Sequence, residues 1–419
     1  MAGTNETIDF QALKSAPRLL MEAELKPLQG DRFQPTGFAD LGPARYTLPD
    51  GTDMLLVESA QSVANRMELA CCKEDRRTLL DELVGLPYVV GKHRGEVLTT
   101  SYLEAHRLSS PYLLNAEWAA KLSGEMQLKD DFQINDRVTV ATLFRYDPCS
   151  LLHGVWLGTK EYKEQFSGGR VRLTRTLSGF IEAKGIVVAE SGGTKFDKNA
   201  ARLTETGDAE TGYGTLPFHR SEFTAGEIKA YFNLDLGLLR GYGLHEDATK
   251  LLITLALLKV RRLLSSGLRL RTACDLEIKG SLLVKRPEQG FVVPPEEHLL
   301  AECKGLIANC TGEKLFASPP VTEVAWEPSK TKGAKIEIQL PVGTVEPSIP
   351  DNISKLVKWK KATKSAGPKL LLPNGLDAEQ AGALKALFSN NPEATTAIDE
   401  GLKKEEAPVD PEENGDGEG

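Results

Sequence analysis

Arginine dominates two short stretches of this chain. In GGRVRLTRTLSGFIEAKG (168–185), Arg170, Arg172 and Arg175 stand among β-formers directly after two glycines. In SSGLRLRTACDLE (265–277), Arg269 and Arg271 flank Leu270 after Gly267. Side chains two residues apart on a strand leave the same face, so each stretch predicts a row of guanidinium groups. A guanidinium fork fits phosphate oxygens in a way a lysine point charge does not. A solvated strand face normally mixes both signs, yet no acid stands between Val171 and Ile181. The chemistry implied is contact with a polyanion, set against the plainer reading of solvated or internally paired arginines. Gly168, Gly169 and Gly267 would let the backbone approach such a ligand closely.

Other chemistries have weaker footing. GLPYVVGKH (85–93) puts five residues between its glycines where a phosphate loop needs four, and His93 stands where Ser or Thr would hold magnesium. There is no G-x-S-x-G elbow to carry a nucleophilic serine. Six histidines are scattered; His153 in DPCSLLHG and His219 in LPFHRSEF sit near expected turns and are the candidates for acid–base work. Asp31 and Asp40 lie in a loop where a carboxylate could promote attack by a ribose 2′-hydroxyl, although an Asp in a turn more often bonds its own backbone. None of the six cysteines has C-x-x-C spacing, so zinc is not expected and the thiols read as reduced.

The elements that must position these groups follow from periodicity. PRLLMEAELKPL (17–28) alternates as a strand, and a Gly/Pro-rich loop follows. MLLVESAQSVANRMELACC starts as a short strand and turns helical after Ser59, a good N-cap. Val63, Met67 and Ala70 form its buried stripe, with Gln61, Asn65 and Arg66 off it. EDATKLLITLALLKVRRLLSSG is the strongest helix, with an acidic first turn, late arginines and Gly267 as terminator. It is apolar nearly all round and should pack on two sides. The order strand, helix, excursion, strand, helix, strand predicts an α+β fold with a βαββαβ ferredoxin-like antiparallel sheet carrying insertions. Residues 1–16 read as a loose arm, 17–290 as the palm, 186–222 as a polar excursion from it, 291–400 as a C-terminal extension and 401–419 as a disordered acidic tail.

The chain of 419 residues has 41% apolar and 26% charged residues, an ordinary globular composition. Its net charge of −8 argues against a nucleic-acid partner until the tail is set aside. Glu405, Glu406, Asp410, Glu412, Glu413, Asp416 and Glu418 supply −7, leaving a body near −1 that can hold a polyanion locally. The polar N-terminus and the short apolar run at 251–258 point to a cytoplasmic protein without a membrane partner.

Taken in order, FQPTGF, LVESAQSVANRME, SYLEAHRLSSPY, SLLHGV, GGRVRLTRTLSGFIEA, LPFHRSEFTAGEIKAYFNLDLGLLRGYGL and GLRLRTACDLE resemble the RAMP-superfamily backbone (Cas-seven-type) subunit of the subtype I-G (formerly I-U) CRISPR Cascade effector complex. The resemblance runs from about Pro17 to Glu277, is weaker beyond 290 and does not include the acidic tail. It implies a modified RRM-like palm whose copies stack as a helical filament along a CRISPR RNA, beside other Cascade subunits. A thumb, here 186–222, reaches the neighbouring copy, and the target DNA strand is read by pairing with the guide. The first-helix contacts to RNA fall on Ser59, Gln61, Asn65 and Arg66; the palm contacts on Arg170, Arg172, Arg175, Arg269 and Arg271; and His219 and Arg220 join them. No cofactor, metal or catalytic residue is implied. Related type III backbone subunits cut target RNA with a loop aspartate, which leaves a ribonuclease reading open at Asp31. An RNA-processing role for His153 or His219 is a third reading.

Overall fold

The structure, a computed structural model, describes residues 8–38, 42–75, 78–128, 136–159, 162, 165–195, 216–288 and 290–326, and then 336–341, 344, 358–360, 367–372, 378–396 and 398. The elements that bear on function are β1 (Leu19–Pro27), β2 (Arg45–Thr47), β3 (Asp53–Glu58), α1 (Ala60–Leu69), β4 (Tyr88–His93), β5 (Glu96–Thr100), β6 (Val155–Leu157), β7 (Val171–Leu173), β8 (Leu177–Lys195), β9 (Leu216–Leu234), α2 (Glu246–Ser265), β10 (Leu268–Arg271), β11 (Cys274–Ile278), β12 (Leu283–Arg286), α3 (Glu296–Gly312) and β13 (Val321–Ala325).

The principal sheet runs β10-β11-β1-β9-β8-β3-β2, with β12 also pairing β1. Its inner four strands, β11-β1-β9-β8, are all antiparallel neighbours. That is the arrangement a βαββαβ unit generates when β1, β8, β9 and β11 are its four strands. Helix α1 lies in the first crossover and α2 in the second, so the expected α+β, RRM/ferredoxin-like palm is present.

Local sequence explains the layers. In β1 the buried side chains are Leu19, Met21, Ala23 and Leu25, strict period two. They align with Phe232, Ala230 and Ile228 of β9, and Ile181 and Ala183 of β8 continue the same apolar face. Helix α2 is buried continuously from Leu251 to Val260, which fits its place between the sheet and α3. It ends at Ser265, and Gly267 takes the left-handed φ of +82° that turns the chain into β10. On the opposite face of the sheet Glu22 pairs with Lys229 and Glu24 with Lys279, and the Tyr46 hydroxyl donates to Glu182.

The chain divides into two compact units, Met1–Trp326 and Glu327–Gly419. The first therefore runs past the expected palm limit at 290, because α3 packs on α2 and β13 pairs in parallel with β4. It also takes in part of the expected arm: Ile8 and Leu13 are buried in its core. The second unit has strands Ile336–Gln339, Lys369–Leu372 and Lys358–Lys360 and a helix, Ala378–Leu387. Trp359, from the lysine-rich segment, stacks on Phe388 in its core. Residues 401–419 lie outside the described part. All six cysteines are buried free thiols, and among the described residues no helix is long and apolar enough to cross a membrane.

Candidate nucleic-acid interface

The end of β3 sets the geometry of the region. Glu58 is only 1% exposed, and its carboxylate gathers three donors, two from the adjoining helix and one from far along the chain. Arg66 of α1 donates from Nε at 2.9 Å, Ser62 donates its hydroxyl, and Arg271 of β10 forms an ion pair with the second oxygen. A buried carboxylate needs such partners to stay ionised. Arg66 also donates to the carbonyls of Arg269 and Leu270, so it ties α1 to β10. Arg271 donates to the Gln34 carbonyl at 2.9 Å and holds the glycine-containing loop after β1. Burial lowers the pKa of both guanidiniums from the usual arginine value.

Two of the expected contact residues are thus committed to the fold. The expectation that Arg66 faces outward, clear of packing, is corrected: it is half-buried and bonded at each nitrogen. In β10 the period-two reading holds, with Leu268 and Leu270 buried opposite Arg269 and Arg271. A register shift against β11 between Arg269 and Arg271 separates their surroundings. The Arg269 side chain is 78% exposed, with Asp275 at 4.0 Å.

The other arginine stretch is corrected further. Arg170 lies before β7 in a helical backbone conformation, φ −81° and ψ −16°, so it does not share a strand face with Arg172. Arg172 is exposed on β7 opposite Trp156 of β6. Beyond Leu173 the chain leaves the strand, because Thr176 bonds the carbonyls of Leu151 and Leu152. Arg175, in that break, donates to the His153 carbonyl at 3.3 Å and to Oε1 of Gln61. Gln61 in turn donates to Asn65 Oδ1 at 3.2 Å, a ladder along the outer side of α1. Ser59 caps the helix as expected, accepting from the Ser62 N–H at 3.3 Å. Val63 and Met67 are buried as the stripe required, while Ala70 is only partly so.

A groove of about 670 Å³ opens between the loop and the base of the β8–β9 ribbon, lined by Gln34–Gly37, Gly42, Pro43, His219–Ser221 and Arg271. Arg220 reaches Glu222 at 3.3 Å, and Arg32 meets the other oxygen of the same carboxylate. His219 is exposed and sits 2.5 Å from Glu190 across the ribbon. The basic side chains of the groove wall thus each meet a carboxylate that lies outside the lining, and the ribbon continues past it. Of the expected excursion at 186–222, residues 186–195 and 216–222 form this two-stranded ribbon, and 196–215 lie outside the described residues.

The candidates for cleavage chemistry fare differently. Asp31 is exposed in the turn after β1, and Asp40 lies outside the described residues. His153 is fully buried, and neither ring nitrogen has a hydrogen-bond partner among the described residues. Burial, reinforced by Lys259, Arg107 and Arg175, holds its pKa well below the ordinary histidine value. A neutral, enclosed imidazole has no access to a substrate, so the turn-side acid–base reading of His153 is corrected. GLPYVVGKH contributes β4 and not a phosphate loop. Among the described residues no group of three His, Cys, Asp or Glu side chains could hold a metal. Sequence reasoning missed Glu58, an acid that looks like any strand-end carboxylate until β10 is brought beside it. It also missed Trp156, whose partners come from three other segments.

Comparison with known proteins places this region. Residues 19–188 match the family described as CRISPR-associated protein GSU0053. No curated protein matches the chain. Among solved structures, a chain described as "CRISPR RNA-guided surveillance complex, pre-nicking" aligns at 15% identity over 62% of this chain and 74% of its own, with a TM-score of 0.33. The crystal structure of Thermofilum pendens Csc2 aligns at 11% identity over 75% and 81%, with a TM-score of 0.27. At these scores neither likeness bears on function. The resemblance carried by the motifs is nevertheless borne out, for over residues 19–188 the chain is similar to the CRISPR-associated GSU0053 family, a Cas7-type family.

Proposed function

We propose that this protein is a non-catalytic, CRISPR RNA-binding backbone subunit of a subtype I-G surveillance complex. Copies of it stack along the guide beside other Cascade subunits, and the guide pairs with the target DNA strand. The observation that carries this reading is the family match at 19–188, which spans β1, the glycine-containing loop, α1 and the Arg172–Arg175 segment. The surface supports it. Gln61, Arg172 and Arg269 are exposed and Asn65 is half-buried, and donors of this kind suit backbone tracking with sequence left to guide pairing. The ribbon projecting past the groove supplies an element able to reach a neighbouring copy.

Co-expression with its CRISPR array and partner subunits, followed by sequencing of the copurified RNA, tests the reading. A guide of uniform length, bound by several copies of the chain, is the expected result. Absence of RNA, or a random mixture of cellular fragments, would sink it. Complementary RNA added to the complex should stay intact; cleavage that disappears in Asp31→Ala would install the ribonuclease reading instead.

A further inference from the structure

Trp156 has entered the interface so far only as the register partner of Arg172. It is the central residue of β6 and is 56% exposed. A lone exposed apolar side chain is commonplace and says nothing by itself. Its surroundings say more. The indole Nε1–H donates to the Gly169 carbonyl at 2.9 Å, which fixes the edge of the ring. Gly168 and Gly169 present that carbonyl from a turn with φ of 69° and 81°, a conformation that side chains disfavour. A Cβ at Gly158 would overlap the indole, so only glycine there lets the ring lie against the chain. The buried Ser109 hydroxyl donates to the Trp156 carbonyl and fixes the strand beneath. One side of the ring is therefore backed by backbone, its edge is tethered, and the rest faces solvent.

Arg172 is the register partner of Trp156, exposed on the same face and without an ion pair among the described residues. Directly opposed residues of an antiparallel pair hold their Cβ atoms about 5 Å apart. Nucleobase and phosphate are joined in a nucleotide at a comparable scale, so a flat aromatic face beside a free guanidinium matches one nucleotide of a single strand. From Arg172 the polar path continues through Arg175 to Gln61 of α1. We propose that Trp156 is a stacking platform for one base of a bound single-stranded RNA, with Arg172 on the adjoining phosphate. The proposal rests on the RNA-binding reading above and adds to it a residue that senses the presence of a base.

The test compares two probes on the full-length protein: an unstructured oligouridylate, and an oligomer of equal length and charge with every base removed. Trp156→Ala should weaken oligouridylate binding by roughly five- to a hundred-fold, the effect of losing one stacked base, and leave the abasic probe unaffected. Trp156→Phe should retain most of the affinity, and its unchanged thermal midpoint would show that the strand is intact. If Trp156→Ala binds both probes as the wild type does, the platform assignment is wrong while the RNA-binding reading stands. Equal weakening for both probes makes the residue structural or a protein contact, and also overturns it. If the wild type binds neither probe, the RNA-binding reading and the platform fall together.

Discussion

Arg66 and Arg269 lie at one edge of the sheet, yet substituting them should have opposite consequences. Arg66, with Arg271, neutralises the buried Glu58. Glu58→Ala leaves two partly exposed guanidiniums without their common partner and releases the loop that Arg271 holds. Breaking a buried ion pair costs about 3–5 kcal/mol, and the 30% and 23% exposure of the two arginines places this one at the low end, about 3 kcal/mol. Arg269→Ala should change stability by less than about 0.5 kcal/mol, while its loss from a phosphate contact lowers the log–log salt slope of RNA affinity by about 0.7. Urea denaturation and salt titration of both variants check the pair, and equal stability loss in the two would contradict the division. His153 supplies a test by pH. Its folded-state pKa lies well below 6.5, so the unfolded chain takes up this proton first, and stability from the group is present above 6.5 and lost as pH falls. Glu68, pushed up by burial to about 7 against the pull of Arg107 and Lys259, has the opposite sign: its contribution is lost as pH rises from 4.5. The two windows overlap, so only the difference between wild type and His153→Leu isolates the histidine. That difference should move in favour of the variant by up to about 1.4 kcal/mol per pH unit below 6.5. Parallel curves between pH 7.5 and 5.5 would show that the imidazole protonates normally when folded.

Among the elements, those whose order depends on local pattern were legible in the sequence. The alternation of β1, the Ser59 cap with the Val63 and Met67 stripe, and the all-round apolar α2 appear where periodicity put them. What escaped depends on partners far along the chain. The arginine stretch at 168–185 reads as one strand, but Thr176 finds the carbonyls of Leu151 and Leu152, and these bonds break the run into β7 and β8. Arg66 lies off the apolar stripe and so looked solvated; only the β10 register brings Arg271 to the same carboxylate. The ribbon is intermediate. Its base belongs to the core through Ile186 and Phe223, whereas Val187, Val188 and Phe218 are exposed. Joining Ala189 to Glu222, which face each other across the ribbon, through an Asn-Gly turn should preserve the palm, because the pairs removed bury little apolar surface. The thermal midpoint should stay within about 5 °C, the shift expected from roughly 1 kcal/mol or less. RNA-dependent assembly of several copies, read by light scattering on a guide-length RNA, should be lost. A midpoint that collapses would assign the ribbon to the core, and undiminished assembly would remove its bridging role.

For the molecule as a whole, the unusual quantity is the distribution of charge. A protein proposed to follow an RNA backbone carries −8, yet seven acids between 405 and 419 account for all but about one unit of it. Exposed arginines such as Arg172 and Arg269 act locally, where the Debye length is about 10 Å at 0.1 M salt, so the body can bind RNA despite its net sign. The acidic segment acts as a polyanion on the same chain. Its like charge adds long-range repulsion that slows encounter with RNA. The effect is sequence-independent, so it penalises adventitious RNA whenever its affinity rests on phosphates alone. A chain ending at Lys404, with net charge −1, should therefore bind a random-sequence RNA several-fold more tightly, about three- to ten-fold at 50 mM salt. The ratio of the two affinities should shrink towards one at 300 mM, because screening weakens the repulsion. Thermal stability should not change, since the change is confined to the acidic segment. The measurement is a salt titration of affinity for the two chains side by side. Superimposable curves at every salt concentration would mean that the segment lies electrostatically remote from the RNA surface; a constant ratio would mean a contact that salt does not screen.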